Sequence, residues 1–139
     1  MSDDRREHTT DRMIAISALL GFLAVALGAF CAHGLRSLVE GASDASDRMR
    51  WWETGAQYHL AHALACGLAA WVHDRRGARA AFVASILFAI GVAVFAGSLY
   101  AMALGAPRWL GAITPLGGLS LMAGWIALGV AAVPRAKRS

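Results

Sequence analysis

Charge is missing where this 139-residue sequence is most apolar: residues 13–32, 55–73, 80–104 and 112–133 contain no Asp, Glu, Lys or Arg. With 58% hydrophobic residues overall, such runs exclude an ordinary soluble domain, whose apolar share is lower and broken up by charge. About 20 residues of helix cross the hydrocarbon layer, so each run is expected to be one transmembrane helix. The expected fold is an all-α membrane protein, a four-transmembrane-helix bundle with no separate soluble domain. All nine acidic residues lie outside the runs, which removes the intramembrane carboxylate that proton-coupled transport usually needs. Cysteine is scarce as well. Cys31 and Cys66 sit at different depths of their helices, which argues against a disulfide and for two buried small hydrophobes. The net charge of +4 is spread over short clusters without a continuous basic face or interleaved aromatics, so nucleic acid is not an expected partner. No Gly-x-Ser-x-Gly turn is present, and Ser98 has no identifiable base and acid beside it.

What charge there is gives the orientation. The segments around Arg5, Arg6, Arg12, Arg75, Arg76, Arg79, Arg135, Lys137 and Arg138 hold nine of the 13 basic residues. The two remaining loops hold Arg36, Arg48, Arg50 and Arg108. The positive-inside rule then puts both termini in the cytoplasm, with residues 1–12 a polar tail and 134–139 a basic one. Although the first run follows arginines as a secretory signal does, it exceeds an h-region of about 7–15 residues and three more runs follow it, so it is read as a retained span. A lipoprotein site at Cys31 is disfavoured by the bulky Phe30 before it. Trp51, Trp52 and Trp109 fall at the outer boundary and Trp71 at the inner one, as amphipathic rings prefer; only Trp125 is deep. Ser43, Asp44, Ser46 and Asp47 are N-cap candidates, so the second helix is expected to begin before the membrane, with its Trp pair among the headgroups.

Helices in lipid associate through small residues and interhelical hydrogen bonds. Ser17, Gly21, Ala24, Gly28 and Cys31 form one such stripe, Gly97, Ala101 and Gly105 a second, and Gly117, Ser120, Gly124 and Ala131 a third. On the second helix Tyr58, His62, Ala65, Cys66 and Ala69 share a face, while Leu60, Leu64 and Trp71 point toward lipid. Thr114 suits an N-cap with Pro115 at the first helical position. A compact bundle is the expectation.

Nearly all the polar side chains inside the runs gather near the outer face. At about 1.5 Å of rise per residue, His59 and Tyr100 lie about 6 Å deep and His62 and Ser98 about 10 Å, with His33 and Thr114 nearer the surface. His33, Tyr58, His62, Ser98, Tyr100 and Thr114 are the candidate binding residues. Ionisable residues within a membrane point to a functional site, whereas neutral His, Tyr, Ser and Thr also serve as interhelical glue. His33, His59 and His62 form a possible nitrogen-rich metal site, but no carboxylate or clear cysteine ligand joins them. No cofactor is implied.

Several motifs carry a resemblance: Gly28-Ala29-Phe30-Cys31-Ala32-His33-Gly34-Leu35, Thr54-Gly55 with Tyr58, His62-Ala63-Leu64, Phe95-Ala96-Gly97-Ser98-Leu99-Tyr100, and Ile113-Thr114-Pro115-Leu116-Gly117-Gly118 with Gly124-Trp125. Over about residues 13 to 133 the chain resembles the domain-of-unknown-function 423 family, the YgdD-like small bacterial inner-membrane proteins related to eukaryotic transmembrane protein 256. The resemblance implies a four-span inner-membrane protein and supplies no catalytic assignment. Cys31 stands where that family's pattern usually has Gly, and His59 where it usually has Gln, so a site needing both His59 and His62 would not be general to the family.

The functional expectation is a non-enzymatic inner-membrane protein whose outer-leaflet polar pocket binds a lipid headgroup, a small ligand or a partner membrane protein. The alternative is a small transporter or channel, or a metal- or quinone-binding redox accessory. Expected partners are the lipid bilayer and another membrane protein or a second copy of the chain.

Overall fold

The computed structural model describes residues 2–133, and every regular element among them is helical. Helix α1 (Ser2–Phe30) continues through a π-helical turn (Cys31–Leu35) into a short α2 (Arg36–Val39); α3 (Ala45–Arg76), α4 (Arg79–Ala103), a 3-10 turn (Arg108–Ala112) and α5 (Thr114–Ala132) follow. Arg135, Lys137 and Arg138, the expected basic tail, lie outside the described residues. The N-terminal polar segment is helical and continuous with the first apolar run. Asp4 and Glu7 near its start complement the positive end of the helix dipole, and the Thr9 hydroxyl donates to the Arg5 carbonyl at 2.8 Å.

Three stretches are long and apolar enough to cross a membrane: Asp4–Val39, Arg79–Ala103 and Arg108–Ala132. Helix α3 is not among them. Its 32 residues correspond to about 48 Å, but it carries Glu53, Gln57, His59 and His62 and charged residues at both ends. Its position accounts for that polarity. Helix α3 lies between α1 and α4, α4 packs on α5, and α1 and α5 do not meet among the described residues. The four long helices therefore pack in the order α1, α3, α4, α5, with α3 and α4 as the central pair. Helix α3 turns Ala65, Cys66, Ala69 and Ala70 inward and leaves Leu60, Leu64, Leu68 and Trp71 exposed. A helix shielded on several sides can keep polar groups away from lipid.

Small residues decide how closely the helices approach. A Cβ on Gly117 would collide with the backbone of Phe95, one on Gly124 with the Phe88 ring, and one on Gly91 with Leu121. The Ser120 hydroxyl donates across the same α4–α5 seam to the Leu87 carbonyl at 2.8 Å. Between α1 and α3 the Ser17 hydroxyl donates to the Ala63 carbonyl at 2.8 Å, beside Gly67. The expected stripes are used unevenly. On α1, Ala24 and Cys31 are buried but Gly21 and Gly28 face open space; on α4, Gly97 also faces open space, and the close approach is made at Gly91. Apolar periodicity marks a face without marking which residue on it meets a neighbour.

At the end of the molecule that carries the turn between α3 and α4, Gly77 caps α3. Its φ of 60° is a left-handed value that suits glycine, and its N–H donates to the His73 carbonyl at 2.8 Å. Arg76 reaches across to donate to the Ala132 carbonyl at 2.7 Å, satisfying a free carbonyl at the C-terminal end of α5.

Candidate functional site

His62 lies on the face of α3 that meets α4 and α5 and is buried. Its Nδ1 is 2.7 Å from the Tyr58 carbonyl, and its Nε2 is 3.1 Å from the Trp125 indole nitrogen. A carbonyl only accepts and an indole N–H only donates. Nδ1 therefore carries the hydrogen and Nε2 is the bare acceptor, which assigns the neutral Nδ1–H tautomer. A protonated ring would set its second N–H against the indole N–H. Aromatic rings enclose this pair: Tyr58 stacks on the imidazole at 5.9 Å, and Phe88 and Trp125 meet edge to face at 5.2 Å. Helices α3 and α5 are thus joined through a side chain–side chain bond beneath a half-exposed tyrosine.

One turn earlier on α3, His59 is 4% exposed. Its Nδ1 approaches the Tyr100 hydroxyl of α4 at 3.3 Å, while its Nε2 is buried without a hydrogen-bond partner. Tyr100 in turn packs its ring 4.6 Å from Trp52. Contrary to its expected place in the headgroups, Trp52 is only 2% exposed and donates its indole N–H to the Leu27 carbonyl of α1 at 2.9 Å. The Leu27 carbonyl, one turn before the π-helical turn, has a second lone pair for this donor. Tyr100, at the centre, links α3 to α4 and rests on the tryptophan that ties α3 to α1.

The Ser98 and Thr114 hydroxyls form a third contact at 2.7 Å, joining α4 to the start of α5. Ser98 donates to the Phe95 carbonyl at 2.9 Å, which makes Thr114 the donor in the shared contact and leaves the 3.4 Å approach to the Leu110 carbonyl as its alternative. Thr114 is the first residue of α5, and no side chain caps that helix; its hydroxyl is taken by Ser98 instead of serving as the expected N-cap. His33 is not brought to these pairs. It is exposed in the π-helical turn, and its carbonyl accepts from Ser37 at 3.1 Å.

Above this end of the helices the loop charges are paired. Asp44 lies 2.9 Å from Arg48 and 3.7 Å from Arg108, and Asp47 lies 2.9 Å from Arg50 and 3.5 Å from Arg108. Arg108 also sits over the Trp51 ring at 5.3 Å. Asp44 occupies the N-cap position of α3 but makes no side-chain cap bond, because its carboxylate is turned to the arginines.

The candidate residues therefore form three separate contacts rather than one constellation: His62 with Tyr58 and Trp125, His59 with Tyr100, and Ser98 with Thr114. Among the described residues no three His, Cys, Asp or Glu side chains gather as a metal would require. Both cysteines are free and buried. Trp125 and Trp52 are the participants that sequence reasoning missed. The signal for Trp125 was its depth: a single indole far from both interfaces needs a buried acceptor, and His62 is the imidazole at comparable depth.

The fold and this network define a helical membrane protein with a polar seam inside its helices. The chain belongs to the family described as protein of unknown function (DUF423), whose model matches residues 27–118. It is 40% identical over 130 residues to the UPF0382 inner membrane protein YgdD of Escherichia coli (strain K12), covering 94% of this chain and 95% of that one. Identity to the UPF0382 membrane protein YwdK of Bacillus subtilis (strain 168) is 40% over 121 residues, covering 86% and 94%. A UPF0382 membrane protein of Haemophilus influenzae is 37% identical over 118 residues, covering 85% and 90%. No solved structure matches the chain.

Proposed function

We propose that the chain is a non-enzymatic, multi-pass inner-membrane protein that crosses the bilayer four times with both termini in the cytoplasm. At the outer-leaflet end of α3 and α4 it holds a polar group of a lipid headgroup, a small ligand or a partner membrane protein beside His59. The crossing by α3 is supported by its antiparallel fit along α1. Ser17 pairs with Ala63, and Leu27, ten residues on, with Trp52, so the two helices share one depth range. The orientation rests on the Lys and Arg distribution, and the inner membrane on the printed name of the Escherichia coli relative.

The observation that carries the binding role is the orphaned Nε2 of His59. Buried polar atoms are as a rule paired, so a polar group that reaches this nitrogen would complete it. An amide side chain at this position would offer similar hydrogen-bonding capacity, so the reading does not depend on imidazole titration. With both nitrogens of His62 engaged, that residue positions Trp125 and Tyr58 and is not free to bind. No specific observation favours the transporter, channel, metal or quinone alternatives.

Native mass spectrometry of the protein released directly from bilayers tests the reading. The parent protein should carry a bound species that His59→Leu loses while remaining folded. An empty parent protein, or identical bound species in both, would overturn it.

A further inference from the structure

At the other end of the molecule α1 and α4 face one another, and over their whole length they touch at few residues. Between them lies a groove of about 410 Å³ whose apolar wall includes Ile16, Phe82, Ile86 and Ile90, with Thr9 and Arg12 at its polar end. Phe82, Ile86 and Ile90 are 38–51% exposed, so this wall is accessible from the bilayer. A second cavity of about 440 Å³ is lined by Asp4, Arg5, His8, Thr9 and Arg12. The two share Thr9 and Arg12, so this α1–α4 slot has an apolar wall that adjoins a charged patch of α1. Arg79 lines neither, but it begins α4 two turns before Ile86 and so lies on the same face as that wall, within reach of its polar end.

The charge pairing differs between the two ends. Arg48, Arg50 and Arg108 are each paired with Asp44, Asp47 or both. Arg5, Arg12 and Arg79 enter no ion pair among the described residues, and the Asp4 carboxylate in the slot lies 3.3 Å from His8. Unpaired guanidiniums at the mouth of an apolar groove suit a phosphate attached to a hydrocarbon chain. We infer that the α1–α4 slot binds an anionic glycerophospholipid of the bilayer, its phosphate held by Arg12 and Arg79 and one acyl chain laid against Ile16, Ile86 and Ile90. This site is separate from the one beside His59 and does not depend on it.

The test is native mass spectrometry of the full chain in mild detergent, titrated with phosphatidylglycerol and, separately, with phosphatidylcholine of the same acyl chains. The parent protein should bind phosphatidylglycerol preferentially, with Arg12→Gln and Arg79→Gln each weakening it about fivefold and phosphatidylcholine little changed. Ile86→Trp, which fills the groove and keeps both arginines, should also lose phosphatidylglycerol. Arg50→Gln, at the far end, and His59→Leu should keep it. Equal binding of the two lipids would overturn the inference, as would full retention of phosphatidylglycerol by the Arg12→Gln, Arg79→Gln double variant. A chain dimer that Ile86→Trp dissociates would also overturn it, since a second copy would then cover the groove.

Discussion

Replacing Trp125 with phenylalanine removes one donor and keeps an aromatic ring against Phe88, whose centroid lies 5.2 Å from that of the indole. The acceptor left behind is Nε2 of His62, a residue 7% exposed whose other nitrogen is already bound to Tyr58. In water-soluble proteins an unsatisfied buried group costs about 1–3 kcal/mol. Between transmembrane helices the measured coupling is smaller, averaging about 0.6 and reaching about 1.7 kcal/mol, because the dissociated helices find other partners within the membrane. His62 is buried while Trp125 is 48% exposed, so the coupling is expected inside that range, at about 1 kcal/mol. Trp125→Phe should therefore destabilise the protein by about 1–2 kcal/mol, including the indole volume lost. A double-mutant cycle with His62→Leu should return a coupling of about 1 kcal/mol. Reversible unfolding in mixed micelles across the four proteins measures both quantities. Coupling below about 0.3 kcal/mol, the level of independent sites, would refute the assigned bond and its tautomer.

Other substitutions read different parts of the structure. Gly117→Ala should disrupt the α4–α5 seam, because its Cβ meets the backbone of Phe95 and backbone cannot step aside. Gly97→Ala, where nothing lies within 4 Å, should leave unfolding within about 0.5 kcal/mol of the parent. For Ser98→Ala and Thr114→Val, each loss should be about 1 kcal/mol, and the double variant should lose less than their sum, since both delete the same 2.7 Å contact. Arg108→Ala removes two carboxylate contacts and the ring contact to Trp51, yet the side chain is 64% exposed. Its effect on thermal stability should stay below about 1 kcal/mol and vanish in high salt.

Much of the architecture was legible before the coordinates. The helical class follows from uncharged runs that only a bilayer or a core can accept. The α5 face of Gly117, Ser120, Gly124 and Ala131 follows from small residues at helical spacing, and all four are buried or bonded at the α4 seam or close to it. The same periodicity gives the buried side of α3 at His62, Ala65, Cys66 and Ala69 and the exposed side at Leu60, Leu64 and Trp71, but Tyr58, expected on the inward face, is 43% exposed. What the sequence could not supply was pairing between helices. Gly91 was hidden because one glycine amid alanines and valines carries no spacing signal, whereas Gly97 had partners in register and nothing opposite it. The place beside Trp51 suggests the headgroups for Trp52, but successive helical positions point about 100° apart, and that turn puts Trp52 in the core and leaves Trp51 partly buried at its edge. His33 shares an approximate depth with the other polar residues and still points elsewhere. Depth is one coordinate; azimuth around the helix, altered here by the π-helical turn, is the second.

Orientation is the claim on which the outer-leaflet site most directly depends, and impermeant-thiol labelling in intact cells tests it. In a chain carrying Cys31→Ser and Cys66→Ser, the loop variant Ser43→Cys should react with a membrane-impermeant maleimide added outside, and Asp74→Cys only after the cells are opened. The reverse pattern, or a loop thiol shielded from the outside reagent, would contradict the account.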